Sequence, residues 1–387
     1  MRKRYPLSVH VCGAVAARTG DEMSGPALLL AGLAATGSTS AASYLLAGVT
    51  ISAAVGGPVF GVLLDRSPAP GRLLAWALTG YAAALLAVLA SLGQVPVAVT
   101  VLIAVGAGLL GPALSGGWTA QLPDVVARED LPRAHALDAM SFSLAGLVGP
   151  ALAGTVAGLA GASAAVVVAV GLICLALPSA LALPVARGPV RERHATAVAT
   201  DLAAGFRAIL RNRPLARATM TSVVSCAGGG LLVACVPLLG ARDLGAAGRG
   251  ALLLSGIAAS ALAANAVLAR HPRALRPDTV IWGSTLVLAV GLILAATGRP
   301  VLLIAAVPVL GIGEGPQLTA LFAVRHREAP GHLRGQIFTT GASLKITGFA
   351  LGAGIAGPIA TRSLRGALLT AAGLQLLAAL CACSSRV

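Results

Sequence analysis

Charge is scarce in this chain. Asp, Glu, Lys and Arg make up 11% of its 387 residues, where a soluble domain carries about 25%. That scarcity excludes a surface that faces water all round. The chain is also too long for a soluble reading with a single apolar core, because cores stop growing at roughly 250–300 residues. Acid is rarer than base, with 13 Asp and Glu against 28 Lys and Arg and a net charge of +15. Such a charge could mark a nucleic-acid binder, but aromatic residues are only 3% of the chain, too few for a platform on which bases stack. The arginines moreover sit between apolar runs and not on one face. No nucleic-acid partner is expected.

Other absences narrow the chemistry. The six cysteines (Cys12, Cys174, Cys226, Cys235, Cys381 and Cys383) contain no Cys-x-x-Cys, so a disulfide framework or a thiol metal site is not expected. The six histidines lie near the ends of apolar runs or between them, without metal-ligand spacing. No Gly-x4-Gly-Lys-Ser/Thr loop occurs, which argues against ATP hydrolysis by this chain. An enzyme is not expected, nor a cofactor. An ion gradient is the remaining energy source.

What the chain has instead is apolar length. Hydrophobic residues make up 57%, and the mean hydropathy is +0.88. A hydrocarbon core of ~30 Å takes roughly 20 apolar residues per helix. On that basis twelve spans are expected, at 11–35, 40–63, 73–92, 96–120, 139–160, 163–184, 218–240, 249–269, 279–297, 300–323, 337–360 and 364–383. The first, fourth, tenth and eleventh are the least apolar. Continuous runs without strict alternation indicate helices and not a barrel. The basic stretch Met1–Arg4 before an apolar run has the look of a signal peptide, but Arg18, Asp21 and Glu22 interrupt that run. An uncleaved first span is expected.

Basic residues give the orientation. With the N-terminus inside, the outer connections hold only Arg242, Arg249, Arg299, Arg362 and Arg365, and nearly all other basic residues fall inside. The positive-inside rule then puts both termini in the cytoplasm of a cell (inner) membrane. The longest polar connection, 185–217, divides the spans six and six. In it Val198, Leu202, Phe206, Ile209 and Leu210 recur at helical spacing, with Asp201, Arg207 and Arg211 at other positions. This predicts an amphipathic helix on anionic lipid; a solvated linker is the alternative. The halves echo each other weakly. Gly111-Pro112 and Gly149-Pro150 flank Arg128-Glu129-Asp130 in one, and Gly315-Pro316 and Gly357-Pro358 flank Arg327-Glu328 in the other. Paired repeats around a midplane site are a transporter plan.

The loop after the second span reads Gly61-Val-Leu-Leu-Asp65-Arg66, then Ser-Pro-Ala-Pro before Gly71-Arg72. It resembles the loop motif between helices 2 and 3 of the major facilitator superfamily, with a longer spacer than usual. The resemblance covers essentially the whole chain. It implies an all-α membrane fold of twelve helices in two six-helix bundles, 1–184 and 218–387, joined by the linker 185–217. It also implies that Asp65 and Arg66 belong to a cytoplasmic gate, with Gly61, Gly71 and Arg72 completing the motif. The corresponding loop of the second half, Ala269-Arg270-His271-Pro272-Arg273, lacks the Asp-Arg pair, so a symmetric gate is not implied. Gly146, Gly149, Pro150 and Gly154 in span 5 are similar to the helix-5 motif of proton-coupled exporters, although Ala153 stands where a second glycine is common. Plain small-residue packing is the alternative.

Ionisable residues inside spans are costly and usually functional. Arg18, Asp21 and Glu22 lie near the centre of span 1. Arg18 can neutralise one acid along the helix, leaving the other to carry a proton or bind a cation. Glu314 in span 10 and Lys345 in span 11 lie at a common depth and are candidates for a breakable salt bridge. Gln317 and Asn265 are weaker cavity candidates, since lone amides often serve helix packing.

The expectation is a secondary transporter exporting a small amphiphilic or drug-like compound, driven by a proton gradient. Its partners are that compound and membrane lipid, and a monomer is favoured. An uptake porter for a nutrient, a non-transporting scaffold or sensor and, last, a membrane enzyme are the alternatives.

Overall fold

The computed structural model describes residues 6–184, 198–245, 250–271 and 276–383. The expected basic residues at Arg2, Lys3, Arg4, Arg187, Arg191, Arg193, Arg249, Arg273 and Arg386 lie outside those residues, as does the first part of the 185–217 linker. The described chain is helical, and the helices of eight or more residues are numbered here in order. In the first half these are α1 (Leu7–Thr36), α2 (Thr39–Arg66), α3 (Pro70–Ser91), α4 (Val97–Gly108), α5 (Leu131–Ala160) and α6 (Ala162–Leu175). The linker contributes α7 (Val198–Arg211). The second half contributes α8 (Arg213–Asp243), α9 (Gly250–Arg270), α10 (Pro277–Ala296), α11 (Pro300–Glu328), α12 (Arg334–Ala360) and α13 (Leu364–Cys383).

Local chemistry sets the ends. The Ser38 hydroxyl accepts from the Ala41 N–H at 3.3 Å to start α2, and the Asn212 carbonyl accepts from Leu215 N–H at 3.1 Å to start α8; both satisfy donors a helix leaves open. Pro70 and Pro277 take first-turn positions, where a missing N–H costs nothing. Gly37, with φ of 65°, closes α1 and donates to Leu33 O.

Eleven helices among the described residues are long and apolar enough to cross a membrane. They coincide with the second to twelfth expected spans. α1 is long enough at 30 residues, but it is not among the eleven, because Arg18, Asp21 and Glu22 interrupt its apolar run. Several helices begin earlier than expected, α5 at 131 instead of 139 and α8 at 213 instead of 218. Their first turns carry arginine, which apolarity alone does not assign to a span.

Large apolar side chains are left outward, among them Leu159, Val301, Trp76 and Leu102, each at least two-thirds exposed. In lipid that exposure has no cost, because the tails are as apolar as leucine. Between helices the contacts are made by small residues. A Cβ on Gly108 would strike Val49 O, and one on Gly56 would strike Leu109 O, so α2 and α4 touch backbone to backbone. Gly230 against Phe349 O and Gly352 against Ala227 O do the same for α8 and α12.

The chain divides into two compact units. The first holds residues 1–129, 144–207 and 329–343; the second holds 130–143, 208–328 and 344–387. The opening turns of α5 thus pack with helices of the second half, and the opening turns of α12 with helices of the first. The second unit centres on a cluster that includes Leu231, Leu239, Leu292, Leu310 and Leu368.

Candidate functional site

Three groups of polar residues stand out, each within one unit. In the first unit α1 carries the central charges. Arg18 is only 2% exposed and donates through Nη2 to Thr119 Oγ1 at 2.9 Å and to Ser115 O at 3.3 Å. Ser115 lies in a π-helical turn, Ala113–Gly117, directly after Gly111-Pro112. Such a turn shifts the hydrogen-bond ladder and leaves carbonyls accessible. Arg18 therefore anchors α1 to the end of the fourth span.

Asp21 takes a different partner. Its Oδ1 accepts from the Tyr81 hydroxyl of α3 at 2.8 Å, and Ser24 Oγ lies 2.9 Å from the same hydroxyl. Tyr81 is wholly buried. Glu22 is exposed in the middle of α1, between buried Thr19, Gly20, Met23 and Ser24. A Cβ on Gly149 would lie 2.8 Å from Glu22 Cβ, so this glycine of the helix-5 motif lets α5 close onto α1 at the acid. Gly146 and Gly154 have nothing within 4 Å of a built Cβ, and Pro150 is exposed.

The second group is the loop motif. Asp65 Oδ1 accepts from Gly335 N–H at 2.6 Å and Oδ2 from Gln336 N–H at 2.8 Å. These are free amides of the first turn of α12, and a carboxylate there satisfies two open donors and the helix dipole together. A Cβ on Gly61 would collide with Thr339 Oγ1 and Gln336 Cα, and one on Gly57 with Ser343 and Thr339. Arg66 pairs with Asp201 of α7 at 2.6 Å, and Gln336 Nε2 donates to Leu202 O of α7 at 3.1 Å. Arg334 lies 3.6 Å from Asp124. Gly71 lies where a Cβ would strike Ala180 O, and Arg72 is exposed.

The third group is in the second unit. Glu314 of α11 is exposed and Lys345 of α12 half-buried. Each is within electrostatic reach of the other, but among the described residues they form no ion pair within 4.0 Å. Gln317 is tied to Ser225 at 3.2 Å, and Ser225 to Gln375 at 2.8 Å, which joins α11, α8 and α13. Asn265 is fully buried and accepts from Thr319 Oγ1 at 2.8 Å. Both amides hydrogen-bond across to a neighbouring helix. His135 of α5 and His326 of α11 stack with ring centroids 4.7 Å apart, and Phe142 packs on Phe322 at 5.7 Å.

Sequence reasoning missed Tyr81, Thr119, Ser225 and Gln375. None of them is charged, and only its partner gives it meaning. It also missed the two amides that Asp65 caps, which carry no side-chain signal. No group of three or more His, Cys, Asp or Glu able to hold a metal occurs among the described residues.

The profile of the Major Facilitator Superfamily matches residues 11–344. No curated protein matches the chain in sequence. Among solved structures, the human organic anion transporter TETRAN is similar at a TM-score of 0.79 and 16% identity, with 99% of this chain and 100% of that chain covered. A bacterial homologue of the iron transporter ferroportin, in an outward-facing state, gives 0.79 at 16% identity, covering 98% and 99%. A variant of the E. coli fucose:proton symporter FucP gives 0.73 at 14%, covering 98% of each chain.

Proposed function

Since the chain belongs to the Major Facilitator Superfamily, a family of transporters, we propose that it is a proton-coupled exporter of a small amphiphilic or drug-like compound, in the drug-exporter branch of that family. In this reading α1 is the twelfth crossing, residues 1–184 and 218–387 form two six-helix bundles joined by 185–217, and both termini face the cytoplasm of the inner membrane. The bundles rock around a midplane site. No cofactor takes part, and the monomer is the working unit.

One observation carries the reading: two carboxylates stand at the centre of α1, one held by Tyr81 and the other exposed. A free carboxylate at that depth belongs in water and not in lipid. Glu22 is assigned the proton, with Asp21 and Tyr81 setting the geometry beside it. The contact of Gly149 with Glu22 ties the exporter-like motif to the acid. Asp65 is assigned the gate, because its carboxylate holds two backbone amides of the first turn of α12 at once. Organic anion, iron and fucose transport by the neighbours spans three cargo chemistries on one fold, so cargo is read from the site and not from the likeness.

Proteoliposomes with a proton gradient, tested against a panel of amphiphilic compounds, decide the matter. The native chain moves compound out against protons. Glu22→Gln loses coupled flux at least tenfold and still binds compound, and Asp21→Asn loses less. Accumulation of a nutrient down the proton gradient would reverse the direction and replace export by uptake. Unchanged coupled flux in both variants would remove the proton assignment.

A further inference from the structure

The second span of each half ends at the start of the other half's fifth span, α2 at α12 and α9 at α5. In the first unit, Asp65 at the end of α2 supplies an anion to the start of α12. In the second unit the equivalent elements are the end of α9 and the start of α5, and there the acid is missing. In its place is an open groove of about 470 Å³ lined by Arg133, Leu137 and Met140 of α5 and by Ala266, Ala269 and Arg270 of α9.

Both arginines are exposed. Among the described residues neither has a carboxylate within 4.0 Å or a hydrogen-bond partner. The remaining lining residues are apolar. Their order along the helices is that of a membrane interface. Arg133 is the third residue of α5, with Leu137 about 6 Å and Met140 about 10 Å further in. Arg270 ends α9, with Ala266 about 6 Å further in. α5 has 30 residues, about 45 Å at 1.5 Å each, against a hydrocarbon core of ~30 Å. The excess of about 15 Å, with Arg133 in the first turn, fits opening turns at headgroup level and a groove whose apolar part lies at acyl level.

We propose that this groove binds an anionic phospholipid, with the headgroup phosphate between Arg133 and Arg270 and the upper acyl chain along Leu137, Met140 and Ala266. Two fixed cations above an apolar wall match the charge and the polarity gradient of such a lipid, and basic clefts between helices at the inner face select anionic headgroups. A zwitterionic lipid brings its own cation to the arginines and gains less. The bound phosphate supplies, in the second half, the negative charge that Asp65 supplies in the first. The proposal concerns binding alone and stands or falls apart from the transport reading.

Native mass spectrometry of the purified chain tests it, after exchange into micelles doped with phosphatidylglycerol or phosphatidylcholine. The native chain retains phosphatidylglycerol over phosphatidylcholine. R133Q/R270Q binds it on the order of 30-fold more weakly, since each arginine near a membrane surface contributes about a fivefold factor. R133K/R270K, which keeps the charge, holds most of the binding, and R362Q/R365Q, at the connection between α12 and α13, leaves it unchanged. Ala266→Trp fills the groove without touching the charge and also releases the lipid, which covers the case in which the double glutamine variant fails to fold. Equal retention by R133Q/R270Q and the native chain, or equal retention of the two lipids, overturns the proposal. Displacement of phosphatidylglycerol by millimolar inorganic phosphate overturns the acyl part and leaves a free-anion site.

Discussion

At the scale of single residues, position along a helix says less than the partner does. Arg18, Asp21 and Glu22 fall within five residues, yet one is an anchor, one is hydrogen-bonded to a tyrosine and one is exposed. The sequence made Arg18 a neutraliser of an acid on its own helix, and it lies within electrostatic reach of Asp21; its Nη2 also crosses to Ser115 O and Thr119 Oγ1 at the end of the fourth span. Replacing Arg18 by Met leaves Ser115 O and Thr119 without that donor, and a buried lost partner costs about 1–3 kcal/mol. The expected outcome is a lower unfolding temperature in detergent, read by intrinsic fluorescence. Tyr81→Phe removes one hydrogen bond from Asp21 and keeps the ring, so the fold is retained while coupled flux falls severalfold.

Asp65 is the clearest residue-scale test of the gate. A carboxylate at a helix N-terminus contributes about 0.5–2 kcal/mol, a factor of up to about 30 in the balance between closed and open forms. Asp65→Ala is expected to raise the reactivity of a cysteine placed at Thr339 toward a soluble maleimide, and Asp65→Asn, which still accepts one bond, to raise it less. Equal reactivity in all three chains would mean that the carboxylate does not hold α12.

At the scale of elements, the packing is decided by glycine. α2 meets α4 and α12 through Gly56, Gly57 and Gly61, where a built Cβ collides with Leu109, Ser343 and Thr339. Gly108→Val is expected to force α2 and α4 apart and to destabilise by several kcal/mol, as overpacking does at its upper end; thermal unfolding checks it. Gly154→Ala, where nothing lies within 4 Å of the new methyl, is expected to be silent in the same assay. In the linker helix α7, Ile209 is buried while Phe206 and Leu210 are exposed. The Arg66–Asp201 pair that it makes is a third or so exposed on both sides, so breaking it by Asp201→Asn costs no more than about 1 kcal/mol.

At the scale of the molecule, the testable quantity is the number of crossings. Cysteines placed at Gly161 and Gly298, on connections expected outside, are to be labelled by an impermeant maleimide in intact cells. Cysteines at Ala69 and Asn212 are to be labelled only after permeabilisation. That pattern with α1 inserted gives twelve spans, and the opposite labelling at Asn212 would give another topology.

Composition and the length of the apolar runs were enough for the membrane and the helices, because lipid demands continuous apolar length and internally satisfied backbones; the family was legible only as a resemblance of the loop Gly61–Arg72. Those demands act locally and are written along the chain. The loop motif was legible for the same reason, as a pattern within one short segment. Which acid is tied and which is exposed, that Gly149 faces Glu22, that Asp65 holds two backbone amides of a helix begun some 270 residues later, and that Arg133 and Arg270 line one groove were decided only by tertiary packing. Those facts depend on the rotation of each helix about its axis against its neighbours, and in a chain of glycine, alanine and leucine many rotations share the same hydropathy.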